Sequence, residues 1–307
     1  MTVAFITHND CMAHRMGAHH PEDPSRLSAI NDRLIASGLM MTLMQYDAPE
    51  ATAEQISRAH DADYLDALLA LVPDEGLAWV DEDTAMCPGT GRAMLRAAGA
   101  GVLGVDLVMA GSAGQAFCAV RPPGHHAGRR RPMGFCFLNN IAIAAYHALE
   151  AHGLSRVAIA DFDVHHGNGT ESIVAGDERI LFLSTFEHPS YPFTGHGETA
   201  ANVINCPLPA GTDGGTFREA VNNHWLGALD DFAPELVLVS AGFDGHRADI
   251  MAQFNLLDFD YAWITRKLAG VARTHARGRL VSMLEGGYHL HALARAVEAH
   301  IRQFLDV

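Results

Sequence analysis

Six short apolar runs, separated by segments of helical character, restrict the fold of this chain more than any other feature. The runs are Val3–Thr7, Ala116–Val120, Arg156–Ala160, Ile180–Ser184, Leu236–Ser240 and Leu280–Leu284. Between them lie Ser25–Ala36, Asp61–Leu71, Gly91–Ala110, Asn140–Ala151, Thr216–Leu229, Asp258–Thr274 and Leu290–Phe304. Apolar runs with no polar alternation read as strands buried on both faces. Alternation of such strands with helices implies crossover connections, hence a parallel sheet with helices on both faces. No linker, low-complexity stretch or repeat interrupts the pattern, so residues 1–307 are read as a single α/β domain.

Four of the runs stop abruptly at polar clusters containing glycine. Arg121-Pro-Pro-Gly-His125-His126 follows Val120, and Asp161-Phe-Asp163-Val-His165-His166-Gly-Asn168-Gly follows Ala160. Ser240-Ala-Gly-Phe-Asp244 closes the fifth run, and Glu285-Gly-Gly-Tyr288 follows Leu284. In open parallel sheets, ligands bind outside the carboxyl ends of the strands. The four clusters are therefore expected to converge on one site. Within the second cluster, extended-chain alternation would put Asp161, Asp163 and His165 on one face. No Lys or Arg lies between residues 157 and 178 to pair with them. A metal site fits that composition better than a salt-bridged surface strand.

Asp163, His165 and Asp244 together offer two carboxylates and one imidazole. Three protein ligands with open positions are the arrangement of a catalytic rather than a structural ion, which would act as a Lewis acid and lower the pKa of a bound water. Without cysteine ligands the set suits Zn²⁺ but also Fe²⁺ or Co²⁺. His125 and His126 would lie beside it, one of them placed to move a proton. Asp161 and Asn168 are the candidate partners for their far nitrogens. Tyr288, on a glycine-rich turn, could aim its hydroxyl at a carbonyl oxygen opposite the metal; it would serve equally as a loop packing residue. Phe135, in Met133-Gly-Phe-Cys-Phe137, and Tyr191, in Pro189-Ser-Tyr-Pro-Phe193, read from the residues alone as packing aromatics.

Composition excludes several classes. A net charge of −15 opposes binding of a nucleic-acid backbone. No apolar stretch approaches the roughly 20 residues a membrane span needs, and the N-terminus lacks a signal-peptide pattern. Five cysteines without a C-x-x-C pair suggest a reducing compartment, so a cytoplasmic location is expected. Nothing in the sequence opposes a homo-oligomer.

Taken together, Arg121–His126, Met133–Asn140, Asp161–Thr170, Ser240–Arg247 and Leu284–Tyr288 resemble the histone deacetylase superfamily. They are nearest its class II branch, the bacterial histone deacetylase-like amidohydrolases and the acetylpolyamine amidohydrolases. The resemblance runs in order from His19-His-Pro-Glu22 to Tyr288. It implies the arginase/deacetylase α/β fold, with a central, mostly parallel sheet of about eight strands flanked by helices. It also implies zinc at Asp163, His165 and Asp244, with His126 as general base and His125 as its electrostatic companion. Asp161 and Asn168 would orient the two histidines, and Tyr288 would polarise the scissile carbonyl. Gly134, Phe135 and Tyr191 would line an acyl tunnel. A structural K⁺ would sit near Asp161, Asp163, His165, Ser184 and the Thr185 backbone.

The implied activity is zinc-dependent hydrolysis of an N-acetyl amide, with an acetylated lysine or polyamine as the substrate partner. Two features depart from the resemblance. Gly128-Arg-Arg-Arg-Pro132 is unusually basic, which would repel a polycation or recruit an acidic group. No residue matches the family's acidic rim position cleanly, and Asp81, Glu82 and Asp83 are the candidates. The rival readings are an arginase-like ureohydrolase with two metals and a non-catalytic acyl-lysine binder.

Overall fold

The structure is a computed structural model that describes residues 2–305. Ten strands form: β1 (Val3–Thr7), β2 (Leu43–Asp47), β3 (Ala78–Trp79), β4 (Ala85–Met86), β5 (Gln115–Cys118), β6 (Val157–Asp161), β7 (Ile180–Glu187), β8 (Val203–Leu208), β9 (Leu236–Ala241) and β10 (Leu280–Leu284). Eight of them build one sheet in the order β2-β1-β5-β10-β9-β6-β7-β8, and β3 and β4 form a separate hairpin. Every pairing in the large sheet is parallel.

Helices cover the sheet. Thr90–Met109 packs with Asn140–His152, while Asp258–His275 packs with Leu290–Leu305, which also meets Ser25–Ala36. All residues of β6, β7, β9 and β10 are buried, as the unbroken apolar runs require of strands covered on both faces. The order also explains the site. The strands that carry the four clusters, β5, β10, β9 and β6, are adjacent at the centre of the sheet. Their carboxyl ends therefore open side by side.

Three details differ from the sequence reading. The strands β2 and β8 went unread because they are edge strands: β2 is mostly exposed, and β8 carries Pro207 where an outer strand tolerates it. The helix expected over Thr216–Leu229 is two helices, Gly214–His224 and Leu226–Phe232, broken at the fully buried Trp225. The strand β6 ends at Asp161, so Asp163 and His165 are not gathered by strand alternation. Instead Asp163 N–H donates to Asp161 Oδ1 at 3.1 Å, and His165 N–H donates to Asp163 Oδ1 at 2.9 Å. Each carboxylate thus fixes the amide two residues on and turns the chain tightly.

Candidate active site

The four strand ends meet. His165 Nδ1 lies 3.0 Å from Asp163 Oδ1 and 3.2 Å from Asp244 Oδ2, and all three residues are buried. Asp163 Oδ2 accepts from Gly286 N–H at 2.8 Å, and Asp244 Oδ1 accepts from Val164 N–H at 3.1 Å. Side chains from two strand ends are therefore locked by backbone of their neighbours, Asp163 after β6 by the loop after β10 and Asp244 after β9 by the loop after β6. Gly286 is obligatory here, because a Cβ would lie 1.9 Å from Asp244 Oδ2. Burial opposes a charge on His165, yet Asp163 and Asp244 outweigh it and hold its pKa well above the usual value. The pocket favours positive charge.

The two adjacent histidines differ in their far partners. His125 Nδ1 faces Asp161 Oδ2 at 3.0 Å, whereas His126 Nδ1 faces Asn168 Oδ1 at 2.8 Å. Asn168 is oriented by a contact from its Nδ2 to Met133 Sδ at 3.4 Å, which leaves Oδ1 as the acceptor. His126 therefore carries its proton on Nδ1 and keeps a free lone pair on Nε2. Burial disfavours charge on both rings. On His125 the carboxylates of Asp161 and Asp163 reverse that and raise the pKa to about 10. On His126 burial wins, reinforced by His125 and His165, and the pKa falls well below 6.5. One ring holds a proton and its neighbour, 4.0 Å away between centroids, is free to take one.

A channel of about 190 Å³ reaches this cluster, lined by Gly134, Phe135, Tyr191 and Tyr288 together with both histidines. The rings meet edge to face: Phe135 with Tyr288 at 5.9 Å, Tyr191 with His126 at 5.3 Å. Gly134 has φ +55°, and a Cβ there would lie 2.5 Å from His126 Cδ2 and 2.8 Å from the Tyr191 hydroxyl. Burial, helped by Asp244, pushes the Tyr288 pKa well above 10, so its hydroxyl stays a donor.

Ser184 pairs with Asp161 in the β6–β7 register, and Ser184 Oγ and Thr185 Oγ1 are buried without a hydrogen-bond partner. The orphaned Ser184 Oγ, on the residue paired with the buried Asp161, is an oxygen of the kind a potassium ion takes.

Several working residues were not singled out from sequence. Asp249 Oδ2 accepts from the backbone N–H of Tyr288 at 2.6 Å and of His289 at 2.9 Å, while Oδ1 accepts from Met251 N–H at 3.1 Å. Arg26 donates to Gly287 O at 2.7 Å and Glu285 O at 2.5 Å and stacks 4.9 Å over the Tyr288 ring. Glu285 Oε2 accepts from Gly124 N–H and His125 N–H, tying the histidine loop to β10. Of the acidic run, Asp83 lines the channel, whereas Asp81 lies 3.5 Å from Arg131. The basic run is no free cationic field. Arg130 pairs with Asp61 and Asp63, and Arg129 donates to Ile173 O and Ala59 O.

The Histone deacetylase domain matches residues 20–304 of this sequence. The chain belongs to the histone deacetylase family. It is 36% identical over 278 residues to the histone deacetylase-like amidohydrolase of Pseudomonas aeruginosa, covering 88% of this chain and 73% of that one. It is 35% identical over 322 residues to the human polyamine deacetylase HDAC10, covering 97% of this chain and 47% of that protein. The crystal structure of the HDA15 HD domain superposes with a TM-score of 0.93 at 30% identity, over 99% of this chain and 90% of that one. The fold is thus the arginase/deacetylase fold, and the family places the chain among hydrolases.

Proposed function

We propose that this family member is a zinc-dependent amidohydrolase that releases acetate from N-acetyl amides of primary amines. The observation that carries the reading is the asymmetry of the histidine pair, a carboxylate behind one ring and an amide behind the other. Asp163, His165 and Asp244 would hold the ion, and the fit is good: their ligand atoms lie within 4.8 Å of one another, and Asp244 Oδ2 is buried without a hydrogen-bond partner. When bound, zinc supplies a Lewis acid that polarises the acyl carbonyl and acidifies water. K⁺ would be held by Asp161, Asp163, His165, Ser184 and the Thr185 backbone.

The residues of the chain do the rest. The channel admits an extended alkyl chain between the rings of Phe135 and Tyr191 and excludes water around it. Tyr288 donates its hydroxyl hydrogen to the carbonyl oxygen as negative charge develops there. His126 Nε2 takes the proton of the attacking water, since its neutral form dominates at physiological pH. The protonated His125 balances that charge, and the amine leaves with a proton returned by the histidine pair. An arginase-like second metal is disfavoured, because it would need further bridging carboxylates, and beside the Asp163–His165–Asp244 set the channel presents His125, His126 and Tyr288 instead. Asp83 at the channel gives an acceptor for a substrate amide or ammonium.

The test is acetate release by the zinc-loaded protein on acetyl-lysine peptides and acetylated polyamines, assayed side by side. Turnover on either class supports the reading and chooses the substrate. Stoichiometric binding of acetylated ligand without turnover would replace it with a non-catalytic acyl-amine binder.

A further inference from the structure

A second group of metal-type ligands stands apart from the channel. On the helix Thr90–Met109, Asp106 Oδ1 receives two imidazoles from the helix Asn140–His152: His147 Nε2 at 2.8 Å and His152 Nε2 at 2.7 Å. One ligand atom from each of the three lies within 4.8 Å of the others, and none of the three lines the channel. We propose that Asp106, His147 and His152 form a second divalent-metal site, suited to zinc, that clasps these two helices.

The chemistry of the set favours a borderline cation. Two imidazole nitrogens and one carboxylate oxygen, with no thiolate, suit Zn²⁺ and its first-row neighbours better than Mg²⁺ or Ca²⁺. The geometry requires little motion. Ligand bonds of about 2.0–2.1 Å in a tetrahedron put ligand atoms about 3.3 Å apart, so each histidine need retreat by only about half an ångström. The His147 side chain is held at 8% exposure, while Asp106 and His152 are 46% and 25% exposed, which leaves the fourth position to solvent.

A single residue opposes the ion. Arg58 Nη1 donates to His147 Nδ1 at 2.8 Å. That bond forces the proton of His147 onto Nε2, where it points at Asp106. A histidine bound through Nε2 needs the reverse, a proton on Nδ1 donated to an acceptor. Arg58 must therefore release the ring, and it has an alternative partner: its Nη2 already donates to the exposed Glu54 at 3.0 Å. Arg58 and the metal compete for one imidazole, and the arginine sets the affinity of the site.

The competition gives variants of opposite sign. With the catalytic site already loaded by one equivalent, further zinc is titrated against a chromophoric chelator, and bound metal is counted by elemental analysis. Wild type should take a second equivalent and gain thermal stability with it. His152→Ala should lose that equivalent and keep the first. Arg58→Ala should bind it about 10-fold more tightly, the lower end of what an outer partner of a ligating histidine contributes. A second equivalent that survives His152→Ala, or an Arg58→Ala protein that binds no tighter than wild type, would overturn the proposal. So would the lack of any second equivalent in both proteins. Neither readout uses acetate release, so the result stands whatever the catalytic assay shows.

Discussion

Glu22 carries a stability contribution whose size and pH dependence can be worked from its surroundings. Its carboxylate is fully buried and accepts from Arg121 Nη2 at 2.5 Å and Arg26 Nη1 at 3.2 Å. Burial alone would raise its pKa, but Arg121 foremost, then His14 and Arg26, bring it from 4.5 to about 2. That lowering corresponds to roughly 3 kcal/mol in favour of the folded, charged form. Breaking a buried ion pair by removing one charge costs about 3–5 kcal/mol, so the two routes agree. Glu22→Gln should therefore lower the unfolding free energy by about 3 kcal/mol at neutral pH, measured by denaturant titration. Because the folded pKa lies below the unfolded one, the contribution is complete above about pH 4.5 and disappears as pH falls through about 2. The gap between wild type and Glu22→Gln should hold steady down to about pH 5 and shrink by roughly 1 kcal/mol near pH 3.5. A variant as stable as wild type at pH 7 would refute the argument. A gap unchanged at pH 3.5 would do the same.

Two further predictions concern the channel. Gly134→Ala should cut acetate release by about 10²-fold, because the methyl group displaces the His126 ring or the Tyr191 hydroxyl; zinc stoichiometry should be unchanged, and a wild-type rate would show that the contact yields. Asp249→Ala frees the amides of Tyr288, His289 and Met251. It should lower kcat by about 10²-fold while retaining the metal, so full activity in that variant would remove Asp249 from the positioning of Tyr288.

What sequence could show depended on the kind of interaction. Buried strands that end in polar clusters leave a pattern, so the centre of the sheet and the meeting of Asp163, His165 and Asp244 were legible. The edge strands β2 and β8 were not, because half-exposed strands such as Leu43–Asp47 lack an apolar run. Asp249 and Arg26 escaped notice for another reason. Their contacts to the Tyr288 turn are with backbone groups, and for Arg26 the carbonyls concerned lie 261 and 259 residues away, so no side-chain motif records the contact. The three arginines at 129–131 show the converse. Their charge suggested a cationic rim, but the acids that engage Arg130 and Arg131 come from separate loops, at Asp61, Asp63 and Asp81. Charge runs read from sequence omit such partners.

The central claim is that the converged strand ends hydrolyse an acetyl amide with Tyr288 as the donor to the carbonyl oxygen. The most direct measurement is kcat for acetate release by zinc-loaded Tyr288→Phe against wild type, on whichever acetylated amine the wild type turns over. The account predicts a loss of about 10²-fold or more with acetylated ligand still bound. A rate close to wild type would contradict it.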